Sequence, residues 1–65
     1  MMSFNLMFIK KRRLELDLTL QEMANKLGFK NASTYLKYES GEYSFKAEQL
    51  PMLANALDCN LVKFF

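Results

Sequence analysis

Apolar residues recur at spacings of three and four along most of the chain, the period of a helix with one buried face and not of a strand. Near the start, Leu6, Ile9 and Leu16 fall on one side of the segment Asn5 to Leu16, which predicts a first helix. Thr19-Leu20-Gln21-Glu22 has the form of a capping box. The Thr19 hydroxyl accepts from an orphan backbone N–H, and the Glu22 side chain reaches back to the cap. The helix it opens buries Met23, Ala24 and Leu27 and stops at Gly28, which takes a left-handed backbone conformation without penalty. After a turn at Phe29-Lys30, Asn31 caps a third helix that ends at Ser40-Gly41. Its spacing sets Tyr35 and Tyr38 on one face and Ser33, Thr34 and Lys37 on the other, with Leu36 on the flank. A fourth helix is expected over Lys46 to Leu57, with Leu50, Leu53, Ala54 and Leu57 inward. Pro51 lacks an N–H and crowds the preceding turn, so that helix must start late or kink near it. A last short helix follows Asn60 and spends Leu61 and Phe64 on the core, with Phe65 capping the core or joining a dimer seam.

Gly28, Gly41 and Pro51 are the only Gly and Pro residues, fewer than strands joined by tight turns require. The expected fold is therefore all-α, with about five short helices. A length of 65 residues limits the chain to one small domain, spanning residues 1–65. An apolar fraction of 51% and a charged fraction of 25% suit a globular fold and not a disordered one. Phe4, Phe8, Phe29, Phe45 and Phe64 are expected in the core, with the five Met residues filling gaps around them.

The chemistry on offer is narrow. One Cys and no His exclude a disulfide framework, a zinc finger and histidine-based catalysis. Cys59 reads as a small hydrophobe in a reducing cytoplasm. Glu15, Asp17 and Glu22 lie close in sequence but read as solvated carboxylates. No phosphate-cradling Gly loop, metal-ligand spacing or nucleophile–base pair accompanies them. The expectation is no enzyme, no cofactor, no metal and no small-molecule ligand. Met1 to Ile9 is apolar but precedes the cationic run Lys10-Lys11-Arg12-Arg13, the reverse of a secretory signal. No apolar run is long enough for a bilayer, so a cytoplasmic protein without a membrane partner is expected. A net charge of +2 permits nucleic-acid binding only where the positive residues cluster.

The informative segment is Leu20 to Gly41. Two short helices joined by a Gly-containing turn form a helix-turn-helix pattern. The pattern needs a small residue where the helices cross and a turn residue four positions on, and Ala24 and Gly28 stand there. Met23, Leu27 and Phe29 supply the apolar flanks, and Tyr35 and Tyr38 supply the second helix's core contacts.

On these residues the segment Ile9 to Phe64 resembles the Xre/Cro/cI family of helix-turn-helix transcriptional regulators, the lambda-repressor-like fold. The matching positions are Ile9, Arg13, Thr19, Met23-Ala24, Leu27-Gly28, Tyr35, Tyr38-Glu39, Gly41, Leu53-Ala54, Leu57 and Leu61. Two positions depart from the family habit. Asp17 stands where Gly is frequent before the second helix, and Leu20 stands where a phosphate-contacting Gln is frequent, with Gln21 beside it. The resemblance implies five helices, a homodimer on double-stranded DNA, and the helix near Asn31–Ser40 in the major groove. It also implies a structural salt bridge between Arg13 and Glu39. Asn31, Ser33, Thr34, Leu36 and Lys37 would then read base edges, and Gln21, Lys30, Tyr43, Ser44 and Lys46 would contact phosphates. Lys10 to Arg12 offer a grip on phosphates, but the reading slightly favoured is a solvated face of the first helix. The implied activity is a sequence-specific regulator, a repressor of the phage or mobile-element type. The alternative is a small phage antirepressor or modulator that presents its recognition-helix face, with Leu36, Tyr43 and Phe45, to a partner repressor protein.

Overall fold

Each of the first three helices begins where a side chain satisfies an orphan backbone donor. In the computed structural model, which describes residues 4–65, they are α1 (Leu6–Glu15), α2 (Leu20–Leu27) and α3 (Ala32–Glu39), followed by α4 (Leu50–Ala56). Asn5 opens α1, its Oδ1 accepting from the Phe8 N–H at 3.0 Å. Thr19 opens α2 through the full reciprocal box: the Glu22 N–H donates to Thr19 Oγ1 at 3.0 Å, and the Thr19 N–H donates to Glu22 Oε1 at 2.8 Å. The Thr19 backbone N–H first, and the Thr19 hydroxyl after it, hold the Glu22 carboxyl below its usual pKa. Asn31 opens α3, its Oδ1 accepting from the Thr34 N–H at 3.0 Å.

The helix ends follow the same local logic. Gly28 closes α2 in the left-handed region at φ 82°. Asp17 and Asp58 are also left-handed, at φ 56° and 50°, just beyond α1 and α4. A side chain there costs roughly 1–2 kcal/mol, partly offset because Gly is freer when unfolded. Asp17→Gly and Asp58→Gly are each expected to stabilise the domain by about 0.5–1 kcal/mol. A higher urea midpoint at an unchanged m-value is the expected readout.

Pro51 shapes the second half of the chain. The helix expected from Lys46 is replaced by a 3-10 turn over Ala47–Gln49 and then α4, with Pro51 in the first turn of α4, where its missing N–H leaves no bond unmade. The Lys46 N–H donates instead to Gln49 Oε1 at 2.7 Å. The last element is likewise a 3-10 turn, Leu61–Phe64, so the expected five helices become four α-helices and two 3-10 turns among the described residues.

Every element but the Ala47–Gln49 turn contributes to one core: Ile9 from α1, Met23, Ala24 and Leu27 from α2, Tyr35 from α3, Leu53, Ala54 and Leu57 from α4 and its end, and Phe64 from the last turn. Phe4 and Phe8 pack on Phe64 at ring separations of 5.8 and 6.2 Å. Leu61, expected inside, is on the surface because the short turn reaches the core only at its far end. Phe65 is half exposed and lies edge-on to Phe4. Met23 is the one buried methionine of the described residues, since Met7 and Met52 face outward and correct the gap-filling expectation. Met1 and Met2 lie outside the described residues. Cys59 is half-buried against the core, and that burial pushes its thiol pKa up. No helix among the described residues is long and apolar enough to cross a membrane.

Arg12 corrects another expectation. It is no solvated residue: Nε donates to the Leu57 carbonyl at 2.9 Å and Nη2 to the Asp58 carbonyl at 3.2 Å. The guanidinium thus caps the free carbonyls at the end of α4 from α1, where the helix dipole also favours a cation. Arg12→Ala is expected to lower stability by about 1–2 kcal/mol, and Arg12→Lys to recover less than half, because an ammonium cannot span both carbonyls. Chemical denaturation of the three proteins tests this.

Candidate nucleic-acid interface

The α2–α3 contact is the most extensive between any two elements. Ala24 and Tyr35 are both fully buried within it, and the small Ala24 side chain lets the second helix come close. Phe29 in the turn stacks on Tyr38 at 4.9 Å with rings nearly parallel, and Tyr38 meets Phe45 at 5.2 Å. These rings fill the space under the C-terminal half of α3.

A buried ion pair fixes α3 to α1. Arg13 Nε donates to Glu39 Oε2 at 2.9 Å, and Nη2 donates to Oε1 at 3.1 Å, a two-pronged geometry that sets both distance and orientation. Its remaining arm donates to the Leu18 carbonyl at 2.9 Å, so the same guanidinium also pins the α1–α2 loop. The Tyr35 hydroxyl is buried beside this pair without completing a hydrogen bond of good geometry. Its pKa is raised, chiefly by burial and then by the Glu39 carboxylate.

With one side of α3 held in this way, the other side is open. Ser33, Leu36 and Lys37 are exposed on it, and Leu36 keeps 44% of its surface in solvent. Asn31, Ser33 and Thr34 are drawn together at its start. Both hydroxyls donate to Asn31 Oδ1, Ser33 at 2.8 Å and Thr34 at 2.9 Å, in addition to the Thr34 backbone N–H. The Asn31 oxygen is therefore fully used, and Asn31 offers a ligand only its NH2 donors. Thr34 is half-buried by the same arrangement.

Lys37 and Tyr43 are brought together at the other end. The Lys37 ammonium lies 5.4 Å from the Tyr43 ring centre, and the Tyr43 N–H donates to the Lys37 carbonyl at 3.0 Å. Lys30 is exposed in the turn before α3, and Ser44 and Lys46 are exposed in the segment after it. Gln21 is exposed in the first turn of α2, where one of its amide hydrogens is donated to Asn25 Oδ1 at 3.0 Å.

The family model for helix-turn-helix proteins matches residues 9–64. This chain belongs to that family. The match runs from Ile9, within α1, to the end of the final 3-10 turn, so it embraces every buried core residue and leaves out Phe4, Leu6 and Phe8, which pack against them. No match was found among curated proteins or among solved structures. The helix-turn-helix domain is of the Xre/cI type, that of DNA-binding transcriptional regulators. In this domain α2 and α3 are the two helices of the motif.

Two features of the helix-turn-helix face lie beyond sequence reasoning. The three-fold use of the Asn31 oxygen depends on hydroxyl rotamers, although Asn-x-Ser-Thr-like spacing at a helix start is its one visible signal. The Lys37–Tyr43 contact depends on the course of the loop after Gly41, which periodicity does not describe.

Proposed function

We propose that this helix-turn-helix domain is a sequence-specific repressor of the phage or mobile-element type, acting as a homodimer on double-stranded DNA in the cytoplasm. The observation that carries this reading is the recognition helix itself: one side locked by a buried two-pronged ion pair, the other presenting Ser33, Leu36 and Lys37 between exposed lysines. A rigid, cationic-flanked helix of eight residues fits the major groove.

The roles divide by chemistry. Lys30 and Lys46, with Gln21, Tyr43 and Ser44, contact phosphates, which set affinity without reading sequence. Asn31, Ser33, Thr34, Leu36 and Lys37 read base edges. Asn31 gives donors to guanine or thymine acceptors, and Leu36 and the Thr34 methyl suit thymine methyl groups. The exposed Val62 and Phe65 offer apolar surface for the dimer seam. Two protomers would then reach half-sites about one helical turn apart on a near-palindromic site.

Selection of bound duplexes from a random DNA pool, at near-physiological salt with the purified protein, tests the proposal. Enrichment of a two-fold-related motif is expected. With that motif, Lys46→Ala should weaken binding to all sequences alike, whereas Thr34→Ala should change preference at one base pair by about 1–3 kcal/mol. If both variants act uniformly, the assigned roles are wrong. Failure to enrich any duplex with folded protein would replace this reading by the antirepressor one, in which Leu36 and Tyr43 meet a partner repressor.

A further inference from the structure

The outward side of α1 takes no part in the recognition face. Helical geometry sets Met7, Lys10, Lys11 and Leu14 opposite the buried Ile9 and Arg13, on the side turned away from the core. Met7 is 85% exposed, the highest value among the large apolar residues, and Leu14 is 54% exposed. The two stand seven residues apart, two turns or about 10 Å along the axis. Together with Lys10, Lys11 and Glu15 they line one shallow depression. Two apolar knobs in this register, with long side chains between them, match the spacing that a packed partner helix presents.

Charge decides what sits there. Among the described residues Lys10 and Lys11 are in no ion pair, while Glu15 is engaged by Arg12 at 3.6 Å. The face is therefore apolar at both ends and positive in the middle. A second copy paired through the same face, in the two-fold arrangement, would put Met7 against Leu14 but would set the lysine pair of one copy against that of the other. That like-charge contact opposes self-association. Two apolar side chains are also too few to hold a ten-residue helix in a membrane interface. An acidic partner meets both features at once.

We propose that the Met7–Leu14 face of α1 docks an amphipathic helix of another protein, its apolar ridge flanked by Asp and Glu. The side chains involved point away from Arg13, the residue that holds α3, so the recognition helix stays available while the partner is bound. The contact would thus give the domain a protein surface that is separate from its DNA surface and usable at the same time.

Residue-resolved NMR titration of the full chain tests this with defined probes. The first is a synthetic helical peptide with Leu at its ridge positions and Glu beside them, and the second carries Lys in place of Glu. The acidic peptide is expected to shift the amides around Met7, Lys10, Lys11 and Leu14, and the basic peptide to bind at least tenfold more weakly. Lys10→Glu with Lys11→Glu should reverse that order, and Leu14→Ser should weaken both peptides. All four positions are exposed, so the variants keep the fold, which their unchanged core resonances will show. The proposal falls if the α1 shifts are absent or indifferent to peptide charge, or if they arise from protein concentration alone, as a second copy would cause. It also falls if phosphatidylglycerol vesicles, and not the peptide, produce them. Acidic peptide bound only around Lys30, Lys37 and Lys46 would equally overturn it.

Discussion

Arg13→Ala is expected to cost about 3–5 kcal/mol and to leave much of the protein unfolded at 25 °C. The change strands the Glu39 carboxylate, which is 5% exposed, without the two guanidinium bonds that hold it. It also frees the Leu18 carbonyl. Glu39→Ala strands Arg13 instead and should cost a similar amount, less the bond to Leu18 that Arg13 retains. The double change Arg13→Met with Glu39→Leu discriminates between two accounts of the pair. A buried ion pair gains little over well-packed apolar residues, because desolvation offsets the Coulomb attraction. The double variant should therefore be far more stable than either single variant and near the parent. Its DNA binding should nevertheless fall, since apolar packing does not reproduce the two-pronged geometry that orients α3. Equal loss in all three variants would mean that the pair supplies stability outright. Full DNA affinity in the double variant would mean that core packing alone positions the recognition helix.

The elements legible in the chain are those whose causes are local. Thr19 and Glu22, three residues apart, contain the whole reason for the start of α2, and Gly28 contains the reason for its end. Pro51 excludes a helix running unbroken from Lys46, and the structure starts α4 one residue before it. The Arg13–Glu39 pair comes through family resemblance, since nothing in the spacing of residues 26 positions apart requires their contact. Arg12 escapes a local reading for the same reason. It sits in a cationic run like a solvated residue, but its partners are carbonyls 45 and 46 positions away, which no local pattern reveals.

Apolar pattern fails in the opposite direction at Met7 and Leu14. Periodicity locates the buried face of α1 from Ile9 and its neighbours, but it does not say that apolar residues elsewhere on the helix are inside. Leu36, by contrast, is expected on the flank of its helix, and it is exposed there because Tyr35 takes the inward position on α3. At the recognition face the residue types are legible in the sequence and their hydrogen-bonding state is not. Asn31 reads both as a cap and as a base reader; the structure commits its oxygen to the cap, which leaves only its NH2 for the proposed base reading.

The largest functional effect is expected from removing the lysines around that face together. Lys30 and Lys46 flank α3 and Lys37 stands on it; all three are exposed and form no ion pair among the described residues. Each phosphate neutralised by a lysine releases counterions, so the salt slope of log K falls by about 0.9 for every phosphate left without its lysine. With Lys30 and Lys46 on phosphates and Lys37 on a base edge, the variant with all three changed to Ala should lose about 1.8 in slope and bind on the order of a hundredfold more weakly at physiological salt. The selected motif should survive, apart from any position read by Lys37, because phosphate contacts carry no sequence information. Stability should change little, since the side-chain interaction removed among the described residues is that of Lys37 with the Tyr43 ring. Titrations of the parent and the variant at several salt concentrations measure both quantities. A slope that stays at the parent value would move the phosphate contacts to other cations, Lys10 and Lys11 first among them, and would place the α1 face against DNA instead of against a protein.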